Sequence, residues 1–447
     1  MAQNALKGKV GLVDVVMLGA GCALGSAIFS VLAPAAKIGG AGILITIGIA
    51  AVPMAVFGLV YAFLASVAPK TGASFEWPRE FIHPFAGFMV SWLRVLGQVG
   101  QMVTLGFVLV NYVSLVLPVP ARPAVLLLFS AVCVLNLLGV STATRAQTVL
   151  MCMLIAVLTL FVVTGLPHVA LSRVVPLTPH GMLPVLLAAP LLVNLFMGIE
   201  SATEIGEEVK NARRNVPLGI AFALLLIAVI YFSVCFVALG LIGPVELGNA
   251  TAPLVQAASR SVGALATPLI VTAAALSLLK SLNGTYLLFA RCLFAMGRAG
   301  LLSARLGHVE PRHNSPRVAL LAAFGCACVG LLLPNNLIFL FVASSIPLVL
   351  KYLTTCACAL KVVRGRPELV AAARFRLPST LVIALAWLGM ACAVGLLGLG
   401  MADDWRAYAL IGTWAALGLL YWWTAGAKQM RLHDAPGDSP FVLSADS

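Results

Sequence analysis

Polar residues are sparse in this chain, and they divide it into about twelve long apolar stretches. These run Gly11 to Pro34, Gly40 to Ala68, Phe85 to Leu117, Pro123 to Ser141, Gln147 to Leu166, Leu183 to Ile205, Leu218 to Gly243, Gly263 to Met296, Val318 to Leu333, Leu337 to Leu360, Leu381 to Gly400 and Ala407 to Ala425. At 1.5 Å of rise per residue, such stretches suit helices crossing a hydrocarbon core of about 30 Å. The pattern predicts an all-α polytopic membrane protein with twelve transmembrane helices. No polar block longer than a loop separates them, so residues 1–427 read as a single transmembrane domain and residues 428–447 as a cytoplasmic tail.

Composition sharpens this picture. Of 447 residues, 61% are hydrophobic and 10% charged, against roughly 45–50% and 25% in soluble globular domains, which excludes a water-soluble fold. The formal net charge of +13 belongs mostly to the loops. With the first span starting inside, Lys7, Lys9, Lys70, Lys210, Arg213, Arg214, Arg298, Arg374 and Lys428 are among the cations on the cytoplasmic side, against Lys37, Arg122, Arg173, Arg260 and Arg406 outside. This asymmetry follows the positive-inside rule and, with an even number of spans, puts both termini in the cytoplasm of a multi-pass protein of the inner or plasma membrane. The charge faces anionic lipid and calls for no nucleic-acid partner. The ten cysteines lie in apolar stretches without disulfide or zinc spacing, so neither a metal nor a cofactor is expected.

A charge at the bilayer centre costs at least about 2.5–3.5 kcal/mol, so each needs a partner or a watery cavity. Arg94 is followed by Gln98 and Gln101 at i+4 and i+7, a polar stripe that either glues helices or lines a cavity. Glu200 reads as the main buried acid, and as the proton-sensitive one. Arg291 and Lys351 lie towards span ends and are expected to snorkel. Lys280 stands in mid-span, where no interface is near.

Two spans are interrupted by small and polar residues. The first carries Gly19-Ala20-Gly21-Cys22-Ala23-Leu24-Gly25-Ser26-Ala27-Ile28-Phe29, in which Gly21 and Gly25 also form a helix-packing GxxxG; the sixth carries Asn194-Leu195-Phe196-Met197-Gly198-Ile199-Glu200-Ser201. Lying five spans apart, they point to a five-plus-five inverted repeat, residues about 11–167 and about 183–362, with broken helices 1 and 6, two extra helices over about 381–425, and a transport site at the midplane. An unwound helix exposes N–H groups that bind a carboxylate and carbonyls that bind an ammonium. Gly25 is expected where the approach of the backbone tolerates no larger side chain.

Taken in order, these motifs resemble those of the amino acid/polyamine/organocation permeases over nearly the whole chain. Gly21 to Phe29 is similar to the first-helix signature, and Phe196-Met197-Gly198-Ile199-Glu200-Ser201-Ala202 resembles that of the sixth helix, nearest to arginine/agmatine antiporters. Glu207 to Pro217 resembles the loop that follows, while Pro69 to Ser74 with Trp92, and Ser281 to Arg298, resemble passages around the second, third and eighth helices. The resemblance implies that Ser26, Ala27 and Ile28 offer N–H groups to a substrate carboxylate, and that carbonyls of Ala23, Asn194 and Met197 meet its amine. Ala27 replaces the usual Gly, Asn194 stands where relatives carry an aromatic gate, and Leu154 stands where proton-coupled relatives often carry a lysine. Lys280 falls beside the region where sodium-coupled members of this fold hold their ion. It is read as a tethered substitute for that ion, bonded to carbonyls around Gly19 to Cys22, or as an ion pair with Glu200.

The function expected is secondary active transport of an amino acid or related small amine by alternating access, sodium-independent and either proton-coupled or an exchange, with Glu200 and Lys280 in coupling. A polyamine or other organic-amine exchanger is the alternative. A channel would need a ring of like charges or carbonyls about a shared axis, and an enzyme a nucleophile and base, for which Glu200 with Lys280 is the single candidate pair.

Overall fold

The structure is a computed structural model describing residues 8–25, 27–114, 117–179, 181–250, 252–310, 315–332, 337–403 and 405–426. Ser26 and the expected tail, 428–447, lie outside the described residues. Among those described, the chain is helical without strands, and its extended contacts are isolated bridges such as Val10 with Val209. In chain order the helices are α1 (Leu12–Ala23), α2 (Ala27–Ser30), α3 (Leu32–Gly39), α4 (Ile43–Val67), α5 (Ala73–Phe81), α6 (Pro84–Val113), α7 (Ala121–Leu137), α8 (Val140–Gly165), α9 (Leu183–Val193), α10 (Ala212–Asn249), α11 (Pro253–Val262), α12 (Ala266–Arg298), α13 (Arg317–Gly330), α14 (Leu337–Gly365), α15 (Pro367–Ala371), α16 (Ser379–Asp403) and α17 (Trp405–Tyr421). Among the described residues, eight helical stretches are long and apolar enough to cross a membrane; α7, α9 and α13 are shorter apolar helices.

The structure departs from the expected spans for local reasons. Helix α10 extends beyond Leu218 to Gly243 at both ends, and Gly243, at φ 76° and ψ 166° ahead of Pro244, bends the chain without ending the run. The short helices α5 and α11 lie between spans; α5 mixes buried Phe75 and Trp77 with Glu76 and Arg79, which a hydropathy reading leaves as loop. The first span stops at Ala23 and resumes at Ala27. In the sixth, α9 ends at Val193, and after a turn the chain continues as a 3-10 segment, Ile199–Glu204, which carries the interruption expected at Asn194 to Ser201 three residues further.

That segment and its continuation are tied down by buried charge. Arg291, expected to snorkel, is instead only 1% exposed, and its guanidinium grips Glu208 through Nε at 2.7 Å and Nη2 at 3.0 Å. Glu208 also accepts the N–H groups of Lys9 and Val10 on its backbone carbonyl, fixing the start of the chain beside the bundle. Glu204, Glu208 and Glu76 are as buried as Glu200, so Glu200 is one of several buried acids rather than the main one. At the other end of the sequence, α17 docks on α6. Trp92 and Trp414 stack with ring centroids 4.7 Å apart, and each indole N–H donates to the other residue's backbone carbonyl.

Removing one partner of a buried pair leaves an uncompensated charge, at a cost of about 3–5 kcal/mol. Arg291→Met should therefore lower thermal stability in detergent markedly, and adding Glu208→Gln should restore most of the loss. Equal stability of the single and double variants would show that the pair has no such role.

Candidate functional site

Interrupting α1 leaves carbonyls at its C-terminal end without helical partners. Side chains from α12 and α10 take them. Lys280 Nζ donates to Gly21 O at 2.7 Å and also to Leu24 O. Ser281 Oγ donates to Gly21 O at 3.1 Å, while Ser277 Oγ reaches Leu24 O at 2.6 Å and Gly25 O at 3.1 Å. Ala23 O accepts from Tyr231 OH at 3.2 Å and from the Gly25 N–H at 2.7 Å. A carbonyl has two lone pairs, so the Ala23 oxygen is fully engaged, contrary to the expectation that it meets a substrate amine.

Glu200 and Lys280 are not paired. Glu200 instead binds Lys351 Nζ at 2.5 Å and Tyr352 OH at 2.9 Å, and takes the Gly198 N–H at 3.2 Å. Lys351 therefore does not snorkel. It is 2% exposed and stands about 15 Å along the helix from Lys361, too deep for its ammonium to reach the rim. Three donors on Glu200 make it a held carboxylate rather than the lone desolvated acid the sequence implied.

The two interruptions touch. Gly198 adopts φ 109°, and a Cβ there would lie 3.1 Å from the Cys22 carbonyl carbon and 3.2 Å from the Ala23 nitrogen. A Cβ on Gly19 would meet Ile199 O at 2.6 Å, and one on Gly21 would meet Gln147 Nε2 of α8 at 2.5 Å. Gly25 differs from the expectation placed on it, since its Cβ would make only an ordinary contact with Ser281 Oγ at 3.5 Å.

A cavity of about 110 Å³ lies where the interruptions meet. Of the residues singled out by sequence, Ala23, Gly25, Ala27, Gln98, Gln101, Asn194, Met197 and Glu200 line it. Ile28 is buried outside the lining, Lys280 stands behind the lining residue Ser281, and Ser26 is not among the described residues. Arg94 lines the cavity too, bound to Glu204 at 2.8 Å, and Glu204 also holds Ser74. The polar stripe of α6 is thus a cavity wall. The side-chain amides of Gln98 and Gln101 have no hydrogen bond to any described residue.

Sequence reading missed Lys351, Tyr352, Glu204, Thr285, Ser344 and Ser345. A signal existed for Lys351 in its distance from the next cation; hydroxyl residues in apolar helices carry none. Among the described lining residues Glu200 is the single carboxylate, and no aromatic side chain is present.

A polar cavity at crossed interruptions of two apolar segments is what the motifs had pointed to, and comparison with known sequences decides the family. The profile of the amino acid permeases matches residues 10–418. The chain belongs to the amino acid permease family. This permease is 29% identical over 318 residues to an uncharacterised transporter of Mycobacterium tuberculosis, covering 70% of this chain and 71% of that one. It is 29% identical over 325 residues to the methylthioribose transporter of Bacillus subtilis, covering 68% and 70%, and 25% identical over 346 residues to a branched-chain amino acid permease of the same organism, covering 71% and 73%. With its apolar helices, family membership makes it a multi-pass membrane transport protein.

The crossing gives a contrast between two glycines of this permease. Gly198→Ala meets both a left-handed backbone and a crowded neighbour and should cost about 1–3 kcal/mol, read as a lower melting temperature in detergent. Gly25→Ala should cost less than about 1 kcal/mol. The reverse order would place the tight approach at Gly25 after all.

Proposed function

We propose that this permease is a secondary carrier for a small, neutral, hydrogen-bonding amino acid, working by alternating access without sodium. The observation carrying the sodium-independent reading is the ammonium of Lys280 on the carbonyls of Gly21 and Leu24. A tethered cation there supplies the positive charge that a bound metal ion would bring to a helix C-terminus. In this reading the chain has twelve spans, a five-plus-five inverted repeat and cytoplasmic termini, and Lys280 takes part in coupling by protonation or by exchange.

The lining supports the substrate class. The backbone N–H groups of residues 26–28 would take the carboxylate, and carbonyls of Asn194 and Met197 the amine, with Ala23 already committed to Tyr231. The side chain would then face α6. A site lined by amides discriminates against a ligand that leaves them unpaired, so Gln98 and Gln101 favour a substrate that donates and accepts. Both lining cations are already paired, Arg94 with Glu204 and Lys351 with Glu200, so among the described lining residues no carboxylate is left for a cationic side chain. An arginine, agmatine or polyamine cargo thus lacks an acid of its own, so in this reading the resemblance of the sixth-helix motif to that of arginine/agmatine antiporters does not extend to the cargo. At about 30 Å³ per water the cavity has room for roughly four, which suits a small amino acid.

Purified protein in liposomes tests this through counterflow of labelled serine, asparagine, glutamine, leucine and arginine, with and without sodium. Saturable, sodium-independent counterflow of the neutral polar members is expected. A sodium requirement would remove Lys280 from its proposed place, and ion current without counterflow would favour a channel. Lys280→Met should retain substrate binding yet lower counterflow at least tenfold. Gln98→Leu with Gln101→Leu should weaken the polar substrates by roughly five- to a hundredfold while sparing leucine; equal loss for both classes would mean the stripe is structural.

A further inference from the structure

A second cavity lies apart from the central one, between α4 and α10. It measures about 680 Å³, with Gly58, Leu59 and Ala62 on one wall and Leu218, Ala221 and Leu224 on the other. Leu59 is 37% exposed, and Leu225 beside the groove is 61% exposed, so this cleft is open on the apolar surface of the bundle. Small residues at 58, 62 and 221 keep the two helices from filling it. Along each helix the apolar walls extend about 10 Å.

One end of the cleft is cationic. Arg213 and Arg214 precede Pro217 at the start of α10, and Arg374 arrives from the connection before α16, which is pinned to the end of α4 by the Phe375 N–H on Ser66 Oγ at 2.7 Å. Arg213 reaches the carbonyl of Ala372 at 3.5 Å, and among the described residues none of the three guanidinium groups meets a carboxylate. Arg298 and Arg291, by contrast, are paired with Glu207 and Glu208, and Arg376 with backbone carbonyls. Three guanidinium groups without a carboxylate partner among the described residues, above an apolar cleft, match a ligand with an anionic head and a hydrocarbon tail.

We infer that the α4–α10 cleft binds one anionic phospholipid, its phosphate on Arg213, Arg214 and Arg374 and an acyl chain between the two helices. Guanidinium groups pair phosphate oxygens in a fixed fork, and a basic pocket at the edge of helices selects anionic over zwitterionic headgroups. A lipid seated there would bridge α4 to α10, the helix that also holds the α1 interruption through Tyr231. This inference does not depend on the proposed substrate or coupling.

The test uses the full-length protein in detergent, with retained lipid counted by native mass spectrometry and the melting temperature followed on titration of each lipid. One phosphatidylglycerol should bind in preference to phosphatidylcholine and raise the melting temperature. The triple variant Arg213→Gln, Arg214→Gln, Arg374→Gln should weaken that binding on the order of a hundredfold, about fivefold for each charge. All three side chains are exposed, so folding should survive. Ala221→Trp, which fills the cleft and keeps the arginines, should also lose the lipid. Equal retention of phosphatidylcholine, or full phosphatidylglycerol binding by either variant, would overturn the inference. So would competition by inorganic phosphate as effective as that by the lipid, which would mean a free-anion site.

Discussion

A helix interrupted inside a bilayer has no water to take its freed carbonyls, and this constraint organises the centre of the molecule. Here the freed groups of α1 are met by Lys280, Ser277 and Ser281 from α12 and by Tyr231 from α10. Those four side chains make the interruption affordable in hydrocarbon. They also fix where the cavity can lie. With α12 and α10 covering one side of the gap, the open side faces the turn at Gly198, and the glycine at that turn lets the second interruption approach the first to contact distance. The cavity is the space left when two helices stop short and their neighbours stay whole.

The chain leaving that crossing is held by a succession of carboxylates. Glu200 binds α14 through Lys351, Glu204 binds α6 through Arg94, and Glu207 and Glu208 bind α12 through Arg298 and Arg291. Buried ion pairs add little net stability over apolar packing, but breaking one is expensive. Their consequence is geometric: a nine-residue stretch cannot move without releasing or carrying three separate helices. The outermost pair, Glu207 with Arg298, is about one third exposed on its arginine and is the weakest of the four.

The all-helical membrane character and both interruptions were legible because hydrocarbon demands long apolar runs, and the exceptions stand out against them. Gly19 to Phe29 and Asn194 to Ser201 are such exceptions, and Lys280 was recognisable as a charge too deep to snorkel. The partners were not legible, because pairing depends on which helix faces which. Sequence offered Glu200 a pairing with Lys280 only as the alternative to the tethered-ion reading and left Lys351 to snorkel; the structure gives Glu200 to Lys351, on a helix 151 residues away. Gly25 illustrates the same limit. Its place in a GxxxG predicted crowding, yet only Gly21 of that pair meets another helix closely, on Gln147. The 3-10 form of Ile199–Glu204 was likewise hidden, since its cause is tethering through Glu204 and Gly198 rather than local propensity.

A cation that belongs to the chain differs physically from one that arrives and departs. A diffusible ion can leave a closed-up carbonyl site and take its charge across the membrane, so its gradient can drive transport. The Lys280 ammonium is tethered to α12 and has two ways to leave Gly21 and Leu24: losing its proton, or separating α1 from α12. The first exchanges protons with one side of the membrane and so ties the contact to a proton gradient. The second leaves a buried ammonium and unpaired carbonyls, each costly in hydrocarbon, unless substrate or water takes their place. If substrate is what supplies the compensation, the empty carrier returns slowly and the loaded one quickly, which is the kinetic basis of exchange. On the proposed reading the same contact would serve proton coupling or exchange according to whether solvent reaches Nζ before α1 moves, with the carbonyls of Gly21 and Leu24 already engaged in either case.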